Sequence, residues 1–445
     1  MTEDFVPRRA AAGEPAAAPG DGRLAFMING LSWPNTEKIR ATVGDTLHWR
    51  IINASAEIHP MHLHGFYFRV DDFTPPASGP EIRGGLGRHV VTERMPQLTG
   101  MSITWSPDRS GNWIFHCHFA RHIEPVDSTG HGDHATTGMG GLVLGIDVAN
   151  KPNARAIASA APKRRLRLVA IADSGFRATE PSLRFVLEER GKRMASGPAF
   201  SPTIELVRGE PVSITVVNQL REPTAVHWHG IELESYNDGV PGVSGAGTRI
   251  APIIAPRDSF EVRFTPPRAG TFMYHSHVDE VRQQPAGLAG ALIVREPGEA
   301  RSPDDHVFFI KGTRVPEAPS LIEVNGVANP DTVVFTQGRP TRIRVIGLAS
   351  TNSNSAISLT ARRDSSFANL NDSMIQPWRQ LAKDAFELPA AERVLRPARQ
   401  VVGMGETFDF EFVPAETGNL RLEVRTYGNA GNLLARVPIK VVAPR

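Results

Sequence analysis

Four short stretches of this chain carry a histidine, one intervening residue and a second histidine: His62/His64, His116/His118, His227/His229 and His275/His277. On a β-strand, residues i and i+2 point to the same face, so each pair can present two imidazoles side by side. Neutral imidazole suits copper, zinc, iron and nickel alike, and one pair by itself identifies no metal. Four pairs offer eight imidazoles, enough to hold three copper ions where two units meet. A second group is of a different kind. His59, Cys117, His122 and, further along, Met139 supply two imidazoles, a thiolate and a thioether. That is the donor set of a blue-copper electron-transfer centre. Cys117 is the single cysteine of the chain, which excludes an intrachain disulfide. A lone cysteine is ordinarily a small buried hydrophobe; its place between His116 and His118 argues for chemistry.

The elements that must position these residues read as strands. Short alternating runs rich in Val, Ile, Phe and Thr, such as 46–52 (TLHWRII), 212–217 (VSITVV) and 260–264 (FEVRF), are punctuated by Gly, Pro, Asn and Asp. This pattern predicts an all-β protein of sandwich or barrel type. The chain also repeats itself. RATVGDTLHWRIINASAEIHPMHLHG (40–65) answers to IELVRGEPVSITVVNQLREPTAVHWHG (204–230), and MSITWSPDRSGNWIFHCHF (101–119) to FEVRFTPPRAGTFMYHSHV (260–278). A fainter copy at 336–359 and 406–426 holds Asn, Ser, Arg and Glu in place of the histidines. The Ala/Pro/Gly bias of 1–22 predicts a disordered lead-in, and the repeats predict three tandem β domains at 23–150, 164–297 and 303–445, joined by polar, Pro-bearing linkers. They also supply an internal control. The positions of His59, Cys117, His122 and Met139 are filled in the second unit by Thr224, Ser276, Val281 and Leu288, all poor ligands or none. Loss of the whole set in one copy is expected if it acts as a unit in the other.

Bulk properties narrow the partners. A net charge of +2 over 445 residues creates no long-range field for nucleic acid or an anionic membrane. No apolar run is long enough to span a bilayer. The opening MTEDFVPRRAAAGEPAAAPGDG lacks the apolar core of a signal peptide.

Taken together, HPMHLHG (59–65), HCHFARH (116–122), HWHG (227–230) and HSH (275–277) resemble the four copper-binding motifs of the multicopper oxidases, the laccase and ascorbate oxidase family. The resemblance covers the first two units well and the third only as a ligand-free cupredoxin unit. It implies three cupredoxin-like Greek-key domains and four copper ions. By resemblance, His59, Cys117 and His122 hold the type 1 copper, with Met139 as axial ligand if a thioether is present at all. His62 and His227 then hold type 2, and His64, His116, His118, His229, His275 and His277 the type 3 pair. Electrons taken singly from a small reductant at type 1 would cross Cys117 to the cluster, where four reduce dioxygen to water. Asp238, in ESYNDGVPG, resembles a family carboxylate that helps deliver protons; it also reads as a turn residue before Gly239. Kinship places such an enzyme in the periplasm or outside the cell.

Two departures from the family pattern stand out. The type 1 unit comes first and the ligand-free unit last, which resembles a circular permutation of the three-domain order. It also fits a relative of the two-domain oxidases and copper nitrite reductases, which assemble as trimers, so the cluster could close within one chain or between chains. After His122 an insertion intervenes (123–138) with His131, Asp133 and His134, read either as a polar loop or as a lid beside type 1. Asp279 and Glu280, just past HSH, read as solvated residues or as further carboxylates that help proton delivery, Trp228 as packing, and His48, His89 and His306 as ordinary surface or half-buried residues. A copper nitrite reductase needs one catalytic copper, and a copper-binding electron carrier needs only the type 1 set. Neither requires eight paired histidines.

Overall fold

The computed structural model describes residues 1–7, 22–74, 87–124, 139–152, 160–173, 182–194, 201–313, 321–349, 355–361, 374–426 and 431–444. Strand makes up 54% of it and helix 5%, so the protein is all-β. Thr99–Trp105 shows why: Thr99, Met101, Ile103 and Trp105 are buried while the residues between them are half-exposed. A two-residue period of this kind suits a strand with one face on a core.

In the first unit, Leu47–Asn53, Thr99–Trp105, Phe68–Thr74 and His89–Val90 make one antiparallel sheet. The sheet opposite is centred on Gly111–Cys117, with His59–Leu63 on one side and Val143–Ala149 on the other. Lys38–Thr42 joins Val143–Ala149 in parallel. The second unit repeats the arrangement. Arg164–Asp173 runs parallel to Val212–Asn218, while Ile204–Val207, Ala289–Arg295, Gly270–Ser276 and Val226–His227 form the other sheet. In the third unit, Thr341–Leu348 and Thr407–Phe412 belong to one sheet, Gly418–Thr426 and Leu433–Val442 to the other. Each pair of sheets encloses its own apolar cluster, typified by Phe68 and Ile103, by Leu168 and Tyr274, and by Trp378 and Phe410. These are cupredoxin-like sandwiches.

The units are not beads on a string. The first apolar cluster continues into Val240, Met273, Phe309, Ile346 and Met404 of the other two units. Gly245 of the second unit pairs with Asn112 in the strand that carries Cys117. This fusion buries the places where the histidine pairs sit.

The lead-in 1–22 is partly ordered, contrary to its composition: Thr2–Pro7 pairs antiparallel with Gly22–Met27. Residues 2–7 (TEDFVP) are not of the Ala/Pro/Gly type that dominates the stretch, and the strand Gly22–Met27 provides a partner for their backbone. The Ala/Pro/Gly-rich 8–21 lies outside the described residues, as do His131, Asp133 and His134 of the insertion. One short helix, Glu280–Ala286, follows the last histidine pair. It spans only seven residues, too few for apolar periodicity to reveal.

Candidate metal centre

The register of two strand pairs builds most of the centre. His62 lies opposite His116, and Met61 opposite Cys117, where His59–Leu63 meets Gly111–Cys117. His227 lies opposite His275 in the second unit. Because side chains alternate along Gly111–Cys117, Cys117 faces away from His116 and His118.

On the Cys117 side, Sγ lies 3.4 Å from His122 Nδ1 and 3.6 Å from His59 Nδ1, and the two imidazole nitrogens are 3.0 Å apart. His122 is brought there by the 3-10 turn Ala120–His122. The turn is tied down by hydrogen bonds from Leu142 N to His122 O and from Cys117 N to Leu142 O, 3.0 Å each. The outer nitrogen of His59 meets Ser55 Oγ at 2.7 Å, and Ser55 is held in turn by Asn53. Phe26 lies against the His122 ring at 4.1 Å. Met139 is buried in the same apolar cluster as Cys117. Burial lowers the His59 imidazole to about 3 and His122 to about 2, so both are neutral donors. Burial also pushes the Cys117 thiol well above its ordinary value. Neutral imidazoles bring no compensating charge to a thiolate, whereas a bound metal cation would favour that form here.

The four His-x-His pairs converge on the other side. His62 Nε2 lies 3.4 Å from His227 Nε2, His64 Nε2 2.9 Å from His116 Nε2, and His118 Nε2 3.2 Å from His229 Nδ1. Ring contacts continue to His275, 5.1 Å from His118, and to His277, 5.2 Å from His64. All eight are at most 1% exposed. Donor nitrogens group as His62, His64 and His227; as His64, His116 and His277; and as His118, His229 and His275, each set within 4.8 Å.

The outer ring nitrogens decide what the inner ones can do. Nδ1 of His62 meets Val91 O, that of His116 meets Cys117 O, and that of His227 meets Asp238 O, each at 2.8 Å. His64 Nδ1 meets Asp238 Oδ2 at 2.8 Å, and His275 Nδ1 meets Ser276 O at 2.9 Å. A ring nitrogen against a carbonyl or carboxylate oxygen carries the proton, so its partner in the ring presents a lone pair. Lone pairs therefore face one another across the pocket, and they repel unless a cation lies between them. His275 Nε2, His118 Nδ1 and both nitrogens of His277 are buried without a hydrogen bond. Burial, reinforced by mutual repulsion, holds His62, His64, His118, His229 and His277 well below the usual imidazole range. The residues fit metal ions.

Two family models, both described as multicopper oxidase, match residues 8–125 and 190–299, the stretches that carry the four motifs. The chain belongs to the multicopper oxidase family. Copper resistance protein A of Escherichia coli is 33% identical over 29% of this chain and 21% of its own length. L-ascorbate oxidase of Cucumis sativus is 38% identical over 25% of this chain and 18% of its own. Laccase-5 of Trametes versicolor is 29% identical over 36% of this chain and 35% of its own. The chain thus spans about a third or less of these curated relatives. A crystal structure of a multi-copper oxidase from Pseudomonas thermotolerans is also similar, at 23% identity, with 63% of each chain covered and a TM-score of 0.47.

Membership of this oxidase family implies copper, and gives the surrounding residues a context. Asp238 is fully buried; its Oδ2 meets His64 Nδ1 and accepts from Ser244 Oγ at 3.2 Å. It is also a turn residue, because Gly239 beside it has φ +94° and a Cβ there would lie 1.8 Å from Val226 O. The turn position is therefore compatible with a carboxylate set against a pocket histidine. Glu280 corrects an expectation. It is buried rather than solvated, with Oε1 3.3 Å from His277 Nδ1, and burial pushes its carboxyl up to about 8. The chain bends at Val278 and Asp279, the latter at φ +45°, and so brings Glu280 back onto that histidine. Asp279 does face outward and pairs with Arg282. Trp228 packs on Phe264 and Tyr274 in the second core. His48 is exposed, and His89 and His306 are half-buried.

The second unit's counterpart of the Cys117 site is filled by a side chain that sequence comparison did not single out. Gln283 Oε1 accepts from Thr224 Oγ1 at 2.8 Å and from Ser276 Oγ at 2.6 Å, beside buried Leu288. Where the first unit collects three metal donors, the second closes a neutral hydrogen-bond network.

Proposed function

We propose that this chain is an oxidase that takes electrons singly from a small reductant and delivers four of them to dioxygen, giving two waters. The reductant class is a phenol, an aromatic amine or a metal ion. One observation carries the reading: eight buried imidazoles from two units converge within a single chain, one residue away from its only thiol. Four copper ions fit the donor groups. His59, Cys117 and His122 would hold type 1, with Met139 as the axial thioether; His62 and His227 would hold type 2. His64, His116, His118, His229, His275 and His277 would hold the type 3 pair. Bound copper would supply reversible one-electron chemistry at both centres.

The chain's own residues do the rest. Cys117 is covalently continuous with His116 and His118, so the two donor groups are joined by the shortest backbone path available to electrons. Asp238 and the carbonyls of Val91, Cys117 and Ser276 fix the tautomers that point lone pairs inward. Complete burial excludes bulk water from the pocket, which suppresses side reactions.

We take 23–150, 164–297 and 303–445 as the domains, and a periplasmic or secreted setting on kinship; among the described residues no helix is long and apolar enough to cross a membrane. Convergence within one chain supports a site that needs no trimer. It also disfavours the copper nitrite reductase and electron-carrier readings, which leave the paired histidines unused. The test is a copper count with oxygen uptake. About four coppers per chain, a blue absorption band and donor-dependent oxygen consumption are expected. One or two coppers with nitrite turnover would select the reductase, and blue colour without turnover the carrier. Cys117→Ser should abolish the blue band and donor oxidation while the eight histidines still bind metal; donor oxidation that survives this change would sink the proposed electron path.

A further inference from the structure

Among the described residues the third unit contributes to none of the donor groups, yet it reaches the three-copper pocket. Thr92 Oγ1 lies between two of the pocket's imidazoles, 3.1 Å from His62 Nδ1 and 3.2 Å from His229 Nε2. The backbone on either side of that hydroxyl is held from the third unit. Val91 N and Thr92 N both donate to Asp384 Oδ2 at 3.1 Å, and Lys383 Nζ donates to Thr92 O at 2.6 Å. Asp384 is itself fixed by Thr407 N at 2.9 Å, and Lys383 by Glu406 Oε1 at 2.9 Å and Glu93 Oε2 at 3.3 Å. All four charged residues are at most 5% exposed.

A second contact is independent of this grip. Gly405 has φ +90°, and a Cβ on it would lie 2.7 Å from His118 Cδ2 and 2.8 Å from His118 Cγ. The outer edges of His62, His118 and His229 are thus formed by, or through, the third unit. Asp238 serves the same purpose for His64 and His227 from the second unit.

We propose, resting on the copper assignment above, that the ligand-free third unit forms one wall of the three-copper site and positions its histidines, with Lys383 and Asp384 gripping Thr92 and Gly405 closing on His118. Burying charge solely to hold two units together is a poor route to stability, since apolar contact does as well at less desolvation cost. Here the buried charges converge on the donor and acceptor of one strand residue, whose side chain lies between two of the site's histidines. Outer partners of ligating histidines set ring orientation and ligand basicity. Lys383, Asp384, Thr92 and Gly405 are accordingly positioning residues.

The test uses the full, copper-loaded chain and reads copper retention against a chelator together with the type 2 electron paramagnetic resonance signal. The blue band serves as a control for folding and for the Cys117 site. Gly405→Ala, Thr92→Val and Lys383→Met are each expected to keep the blue band, lose cluster copper about 10–100-fold more readily and shift the type 2 signal. Lys383→Arg is expected to restore both. Blue variants whose chelator resistance and type 2 signal match the unsubstituted chain would overturn the proposal. Should Lys383→Met fail to fold, with Asp384 and Glu406 left without their cation, Gly405→Ala and Thr92→Val decide the matter, because neither removes a charge. Blue copper without any cluster copper in the unsubstituted chain would instead overturn the oxidase reading, and this one with it.

Discussion

A buried imidazole with one nitrogen occupied is a donor with a fixed direction, and most of the pocket histidines are of this kind. Asp238 serves two of them, through its side chain to His64 and through its backbone to His227. Asp238→Ala removes only the first of these contacts. We expect the His64 ring to lose its orientation and cluster copper to be held about 10–100-fold less tightly, with the blue band unchanged. Chelator competition followed by metal analysis measures this. A drop in the blue band of equal size would show general unfolding instead.

At the scale of elements, sharp turns next to strands decide whether a donor arrives at its place. Gly141 has φ +56°, and a Cβ there would overlap His122 O at 2.0 Å. No other residue fits without displacing the turn that carries His122. Gly141→Ala should cost at least about 1–3 kcal/mol in chemical denaturation and bleach the blue band before the fold is lost. Gly65, which follows His64, behaves similarly: with φ +75°, its Cβ would lie 2.2 Å from the Trp113 ring. The glycines closing HPMHLHG and opening the strand after the insertion are therefore geometric requirements of the donor sets.

At the scale of the molecule, a buried ionic network joins the second and third units. Arg344 meets Asp305 at 2.6 Å and Asp409 at 3.3 Å, and donates to Thr271 Oγ1 at 2.9 Å. Burial alone would raise the Asp305 carboxyl, but Arg344 and Arg295 outweigh it and hold the group below 3.8. A carboxylate depressed in the folded state contributes stability that is complete above its unfolded value and is lost as pH falls through the folded one. The junction is thus expected to loosen only below about pH 3.8. Arg344→Leu should lower stability by on the order of 3 kcal/mol at neutral pH and flatten this acid limb; thermal unfolding followed against pH would show both. A variant with the same acid limb as the unsubstituted chain would exclude Arg344 as its source.

Strand character, the threefold repeat and the donor types were legible in the residues themselves, because a two-residue period and the identity of a side chain are local properties. So was the pairing of imidazoles within each motif. Their convergence was not: whether His62 meets His227 depends on how two sandwiches pack, and that is set by apolar surface drawn from all three units. The burial of Glu280 needed the bend at Val278 and Asp279 that turns it back. The Gln283 network needed the helix Glu280–Ala286 packed against Thr224 and Ser276. The contacts of Lys383, Asp384 and Gly405 with residues some 300 positions earlier in the chain have no signature in any local window. Tertiary structure alone supplied them, since a long-range contact costs the chain loop entropy and leaves no periodicity behind.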